Sequence, residues 1–167
     1  MKYFKPLILF ITCWLLLMSS NNLQQIALVN GVAQLILFLL VVCIPIWRTG
    51  RMSYVDIAWP LGVALIGIIT MILSKNLNPK IILMSSAYMI IGFRMGIGIL
   101  NMLRLGLLRK EFSRYQYQKI RWKKSKKNNT QLAQQVDAIC QGFANATFLS
   151  LPALMIWADS NVLNYVN

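Results

Sequence analysis

The chain has 167 residues, of which 57% are hydrophobic and only 13% are charged, and its formal net charge is +13. A soluble globular domain carries about 25% charged residues, and a core of this size cannot bury so many apolar side chains. Disordered chains are poor in apolar residues, and three Cys form no disulfide framework, so both of these classes are excluded. Histidine is absent, which removes imidazole as an acid, a base or a metal ligand, and we predict no metal site. The composition therefore predicts an integral membrane protein.

Five apolar stretches approach the roughly 20 residues that a helix needs to cross a hydrocarbon core. The first is short and follows Lys2 and Lys5 as in a signal peptide, but no small-x-small cleavage site comes after it, so we expect it to be retained. We predict an all-α, polytopic membrane helix bundle that forms a single domain over residues 1–167. Its membrane helices are predicted at about residues 3–18, 26–46, 55–73, 81–100 and 139–157.

The basic residues lie mostly on one predicted side of this bundle. Two are in the N-terminal tail, two are between the second and third segments, and ten are in the long loop 101–138. Only Lys75 and Lys80 lie on the opposite side. Because an excess of Lys and Arg marks the cytoplasmic side, we predict a cytoplasmic N-terminus, an exterior C-terminus and a location in the cell (inner) membrane.

The long loop contains a basic run from Arg121 to Lys127, a pattern that also occurs in nucleic-acid-binding patches. Beside two membrane helices, the run is better explained by topology and by attraction to anionic lipid headgroups, worth about 1 kcal/mol per basic residue. We therefore expect membrane lipid as a partner and no nucleic acid. The residues assigned to the lipid surface are Lys123, Lys124, Lys126 and Lys127.

Apolar residues with helical spacing precede the basic run. At about 100° per residue, one face of a helix would hold Leu105, Leu108, Phe112, Tyr115 and Trp122. This pattern predicts an amphipathic helix that lies in the membrane interface on the cytoplasmic side.

Two charged residues lie inside apolar segments. Asp56 is near the start of the third segment, and Arg94 is about six residues before the end of the fourth, roughly 9 Å deep. A charge within a membrane segment is costly unless it is paired, and the two depths agree. We therefore predict an Asp56–Arg94 ion pair, which is either structural or in contact with a substrate or lipid headgroup. On the same helix, Gly92 and Gly96 form a Gly-x-x-x-Gly pattern that lets helices approach closely.

An ordered set of short motifs runs through these elements. The set comprises Asp56 and Trp59, then Phe93-Arg94-Met95-Gly96, then Arg104, then Arg114-Tyr115, and finally Arg121. This order resembles the bacterial membrane proteins related to steroid 5-alpha-reductases, long labelled a domain of unknown function. The resemblance covers roughly Trp47 to Pro152 and implies an NADPH-dependent oxidoreductase that acts on CH–CH groups.

The chain departs from that family in two ways. Met95 replaces the usual Leu, and the Arg-His-Pro-Asn-Tyr-like element associated with NADPH in complete relatives does not occur. The resemblance therefore implies the N-terminal half of a reductase-like protein, truncated or split. We expect no cofactor to be bound by this chain alone. A C-terminal half encoded downstream is a candidate partner.

The alternative is a non-enzymatic membrane protein that binds lipid or a partner membrane protein through the Asp56–Arg94 region and the basic loop. A transporter or channel subunit is the least favoured reading, since one intramembrane Arg without an acidic relay gives no ion pathway. No catalytic residue can be selected from the sequence, and it does not identify a substrate.

Overall fold

A computed structural model of the protein describes residues 5–124 and 129–162, and every regular element in these two ranges is helical. Lys126 and Lys127, two of the residues assigned to the lipid surface, lie outside the described residues. In chain order, the α-helices are α1 (Lys5–Ser19), α2 (Gln24–Phe38), α3 (Ile44–Thr49), α4 (Val55–Leu73), α5 (Pro79–Arg104), α6 (Ser113–Lys124), α7 (Thr130–Ala144) and α8 (Leu151–Val162).

Four helical stretches within the described residues are long and apolar enough to cross a membrane. They are Gln24–Thr49, Val55–Leu73, Pro79–Arg104 and Thr130–Asp159, and a shorter apolar helix covers Leu7–Ser19. The class predicted from the sequence, an all-α membrane bundle, is confirmed. The last of the four begins nine residues before the predicted start at residue 139, because α7 extends back to Thr130.

Two of these stretches contain a π-helical turn. The turn Leu39–Cys43 joins α2 to α3, and the turn Asn145–Leu149 lies between α7 and α8. A π-helical turn inserts extra chain into an α-helix and occurs often at functional sites. Both stretches therefore change the direction in which their side chains face partway along their length.

The ends of the helices follow from local residues. Gly50 ends α3 with φ of 68°, and Gly106 follows α5 with φ of 73°, a left-handed backbone that glycine adopts without steric cost. At the other end of α5, Pro79 occupies the first turn, and the side chain of Asn78 accepts a hydrogen bond from the backbone N–H of Ile81 at 2.9 Å.

An amphipathic helix is present after α5, but it is shorter than the predicted face. The expectation of one continuous face from Leu105 to Trp122 is wrong, because the chain turns at Gly106, forms a 3-10 turn at Leu107–Arg109 and resumes as α6 only at Ser113. As a result, Leu105 is 76% exposed.

The apolar side of α6 packs on the protein itself. Tyr115 and Trp122 are buried in the same core cluster as Val55 of α4 and Ala133 of α7. Since these side chains are covered by the bundle, α6 does not insert them into lipid. Its basic residues Lys123 and Lys124 remain exposed.

Helices α4 and α5 form the most extensive helix pair of the bundle. A Cβ atom added at Gly92 would lie 2.7 Å from the Cα of Ala64, so only glycine fits at this crossing. A Cβ at Gly96 would lie 3.2 Å from the side chain of Leu61. The Gly-x-x-x-Gly pattern therefore supports close helix approach, as its sequence indicates.

Buried amides connect the central helices. The amide of Gln34 on α2 donates to the carbonyl of Gly62 on α4 at 2.8 Å, and the amide of Asn145 donates to the carbonyl of Trp59 at 3.3 Å. Both amide side chains are fully buried. Since a buried polar group is costly unless it is hydrogen-bonded, these contacts hold α2, α4 and the second π-helical turn in one arrangement.

Candidate binding cleft

A cleft of about 1210 Å³ opens where α4 begins and α5 ends, and α6 closes one side of it. Its polar lining residues are Asp56 on α4, Arg94 on α5, Arg114 and Tyr115 on α6, and Gln141 on α7. The other lining residues are apolar side chains and one glycine, mostly from α4 and α5. The cleft therefore combines an apolar wall with a small group of charged side chains.

Most of the residues singled out by the ordered motifs meet in this cleft. Six of them line it, namely Asp56, Trp59, Arg94, Met95, Arg114 and Tyr115. They come from three helices, and up to 59 residues of chain separate those that touch. Arg104 and Arg121 are not lining residues, and both are exposed. The exposed lysines at the end of α6 also lie outside the cleft.

The carboxylate of Asp56 is held by two neighbouring residues of α6. Its Oδ1 accepts a hydrogen bond from the hydroxyl of Tyr115 at 2.9 Å and forms an ion pair with the guanidinium of Arg114. The Asp56 side chain is 13% exposed, whereas that of Arg114 is 62% exposed. The guanidinium carbon of Arg114 also lies 4.7 Å from the centre of the Tyr115 ring, a cation–π contact.

The predicted Asp56–Arg94 ion pair does not form in this structure, because helix register keeps the two residues apart. In the antiparallel α4–α5 pair, Gly92 lies against Ala64, so Asp56 comes level with Leu100. Arg94 is six residues away from that level, or about 9 Å along the axis. Asp56 pairs with Arg114 instead. The chain turns back at Gly106 and begins α6 at Ser113, which brings Arg114 next to Asp56.

Arg94 is nevertheless part of the same cleft. It lies ten residues before the end of α5 at Arg104, about 15 Å from that end, and its side chain is exposed. It forms no ion pair or hydrogen bond with the part of the chain that the structure describes. The cleft therefore contains two guanidinium groups and one carboxylate, which already has a basic partner.

Glu111 links the segment before α6 to the loop before α4 through hydrogen bonds. Its carboxylate accepts hydrogen bonds from the backbone N–H groups of Met52 and Ser53, each at 3.0 Å, and from the Ser53 hydroxyl at 2.8 Å. Lys119 of α6 forms an ion pair with it at 2.6 Å and also donates to the carbonyl of Gly50 at 2.6 Å. These contacts place α6 over the start of α4 and thereby build the wall of the cleft.

The contacts of Glu111 and Tyr115 set their protonation. Burial alone would raise the pKa of Glu111, but hydrogen bonds from Lys119, Met52 and Ser53 outweigh it and lower the pKa below its ordinary value. Burial raises the pKa of the Tyr115 phenol, against the opposing effect of the Arg114 guanidinium. Glu111 is thus ionised and Tyr115 is protonated at neutral pH, as their hydrogen bonds require.

Glu111 is not among the residues predicted from the sequence. The signal was available, since Glu111 and Asp137 are the two acids in a loop with ten basic residues. An acid among so many basic residues is a candidate for an ion pair within the loop. Its partners could not be found without the structure, because two of them are backbone N–H groups more than 50 residues earlier.

A double-mutant cycle tests the Asp56–Arg114 pair. We expect Asp56→Asn and Arg114→Gln to couple by about 0.2–1 kcal/mol, the range for a pair with one exposed partner. The same cycle with Arg94→Gln should give additive losses. Thermal unfolding followed by tryptophan fluorescence in detergent measures both cycles, and stronger coupling to Arg94 than to Arg114 would contradict the assignment.

Glu111 should make stability depend on pH. Because its folded-state pKa is lowered, its stabilising effect is present above the unfolded-state pKa of about 4.3 and is lost as the pH falls through the folded-state value. At pH 7, Glu111→Gln should destabilise the protein by about 1.5–3 kcal/mol.

The difference in unfolding temperature between the wild type and Glu111→Gln should therefore shrink as the pH is lowered from 7 to below 4. The control is Asp159→Asn, because Asp159 is half-exposed and pairs only loosely with Lys80 at 3.4 Å. Equal differences at both pH values would show that the charge of Glu111 is not what stabilises the loop.

Residues 41–166 match DUF1295, a family described as a protein of unknown function. No curated protein and no solved structure matches the chain. The matched range contains α4 to α7 and every residue that lines the cleft. The chain therefore belongs to the DUF1295 family.

Proposed function

We propose that this chain binds an amphipathic, lipid-like molecule in the cleft, as the membrane-embedded, substrate-binding part of a reductase-like protein. The observation that carries the proposal is the meeting of six motif residues in one cleft of about 1210 Å³. Pockets for small molecules usually measure about 300–1,000 Å³. The cleft thus has room for a long acyl or isoprenoid chain.

The shape of the lining supports a ligand with a tail. Met95, Ile99 and Met102 line the cleft with the i, i+4, i+7 spacing of one helix face. Methionine side chains are flexible and adapt to irregular apolar partners. The charged residues lie among these apolar walls, so an amphipathic molecule would match the cleft better than a fully polar one.

The reductase part of the proposal rests on the motif resemblance, and NADPH is the cofactor of the complete relatives. The cleft alone does not fit NADPH. That cofactor carries a pyrophosphate and a further phosphate, whereas the cleft offers Arg94 and a second guanidinium that Asp56 already neutralises in part. We therefore propose that the residues that hold the cofactor lie in a C-terminal half outside these 167 residues, and that these residues are not catalytic alone.

A non-enzymatic role is the second candidate, and the exposure of α5 favours it. Only 22% of the apolar window of α5 is buried, compared with 44–61% for the other three spans. An apolar helix with that much free surface can accept a helix of a partner membrane protein. In this case the cleft binds lipid without any reaction.

We also propose that the chain lies in the cell (inner) membrane with its N-terminus and α6 in the cytoplasm. The fourteen-to-two distribution of basic residues supports this orientation. In a variant without the three native Cys, a cysteine at Lys75 should react with a membrane-impermeant maleimide on intact cells, and one at Lys124 should not. The reverse labelling would show that the orientation is inverted.

The cleft can be filled without disturbing the fold. Gly98 lines it, and a Cβ atom at this position would meet nothing within 4 Å. We expect Gly98→Leu to reduce the lipid that co-purifies with the protein, measured by native mass spectrometry, by at least about half. Stability should be unchanged or rise by up to about 1 kcal/mol, because leucine is the better helix former.

The matched control is Ile97→Phe, which adds bulk at an exposed neighbouring residue that does not line the cleft. Co-purified lipid that is unchanged in Gly98→Leu would rule out the cleft as the binding site. Titration of the same preparations with NADPH tests the division of roles. Saturable binding by these 167 residues alone would contradict the proposal that the cofactor is held by residues outside them.

A further inference from the structure

We propose that Arg94 binds the phosphate group of a lipid whose apolar tail occupies the cleft. This inference rests on the proposed function, because it names the polar group of the molecule that the cleft takes. It starts from a charge without a counter-ion. A guanidinium inside a membrane segment costs a few kcal/mol or more unless it is neutralised.

The chain has no acid left to neutralise Arg94. It contains four Asp and Glu residues, and each of them already has a partner. Asp56 pairs with Arg114, and Glu111 pairs with Lys119. Asp159 pairs with Lys80, at the end of α5 remote from the cleft.

The remaining acid, Asp137, accepts a hydrogen bond from the side chain of Gln141 at 3.2 Å. It has a further interaction besides this one. Arg94, in contrast, has no ion pair or hydrogen bond with any residue that the structure describes. No residue that the structure describes supplies its counter-ion, and we infer that the counter-ion comes from another molecule.

The surroundings of Arg94 identify the kind of anion. Its neighbour Met95, together with Ile99 and Met102, gives the cleft an apolar wall along α5, so the anion should carry an apolar tail. Guanidinium groups bind phosphate through paired N–H···O bonds. A second guanidinium, that of Arg114, lines the same cleft and is 62% exposed although it pairs with Asp56.

Depth points in the same direction. Arg94 lies about 9 Å along α5 from Leu100, the residue that is level with Asp56 at the start of α4, and a long basic side chain at such a position extends toward the interface. Phospholipid phosphates are the anions found at the boundary of the hydrocarbon core. A lipid with its tail in the cleft would place its phosphate where this guanidinium can reach it.

The test uses the purified full chain in a neutral detergent and three probes. The first is a fluorescent phosphatidic acid, the second is the diacylglycerol with the same acyl chains, and the third is glycerol 3-phosphate, which has no tail. We expect phosphatidic acid to bind at least about tenfold more tightly than diacylglycerol, the ratio for one charge-assisted hydrogen bond. Glycerol 3-phosphate should not compete.

Two variants separate this inference from the proposed function. Arg94→Gln should abolish the preference for phosphatidic acid and leave diacylglycerol binding unchanged, and it should fold because Arg94 has no partner in the described part of the chain. Arg104→Gln is the matched control on the same helix outside the cleft, and it should keep the preference. Gly98→Leu should weaken both lipids.

Every other result would overturn the phosphate site, the lipid as the source of the phosphate, or lipid binding itself. Equal affinity for the two lipids in the wild type, or a preference that survives in Arg94→Gln, would overturn the phosphate site and leave lipid binding in place. Competition by glycerol 3-phosphate that requires Arg94 would overturn the lipid as the source of the phosphate. No binding of either lipid would overturn the proposed function together with this inference.

Discussion

The close approach of α4 and α5 determines where the charges of this bundle lie. Gly92 lets the two backbones meet at Ala64, and this contact fixes the register of an antiparallel pair. Register then decides which residues share a level, and it separates Arg94 from Asp56 although both belong to the same end of the bundle. A side chain at residue 92 would force the helices apart. The depth and width of the cleft therefore depend on a residue that has no side chain and does not line it.

Two acids of this basic chain, Asp56 and Glu111, hold α6 and the segment before it against the start of α4. Asp56 attaches α6 to the first turn of α4, and Glu111 attaches the preceding segment to the loop that leads into α4. Both contacts lie on the side of the cleft that α6 forms. The cleft wall is therefore assembled by electrostatic contacts at the end of the bundle, whereas the helices behind it are held by apolar packing and by the buried amides of Gln34 and Asn145. Its two sides rest on different physical forces.

Apolar length and short motifs carried most of what could be predicted. Uninterrupted apolar stretches identified the membrane spans, and the ordered motifs identified Asp56, Trp59 and Arg94 as candidate site residues. The partner of Asp56 could not be predicted, because sequence gives the depth of a residue along its helix but neither the register between helices nor the path of a returning loop. The same limit explains the amphipathic face. The spacing of its apolar residues is helical, but the left-handed backbone at Gly106 ends the helix. A single turn residue of this kind does not alter the apolar periodicity of the sequence around it.

The π-helical turns at Leu39–Cys43 and Asn145–Leu149 have a consequence for how this fold can vary. One residue more or less in a helix rotates everything beyond it by about 100°. In each stretch, the π-helical turn adds one residue, so the helical half after the turn is rotated relative to the half before it. An insertion or deletion of one residue at either turn would rotate α3 relative to α2, or α8 relative to α7. Every side chain in the rotated half would stay the same. A difference of one residue at either turn would therefore reorient part of the bundle behind the cleft without a change in composition.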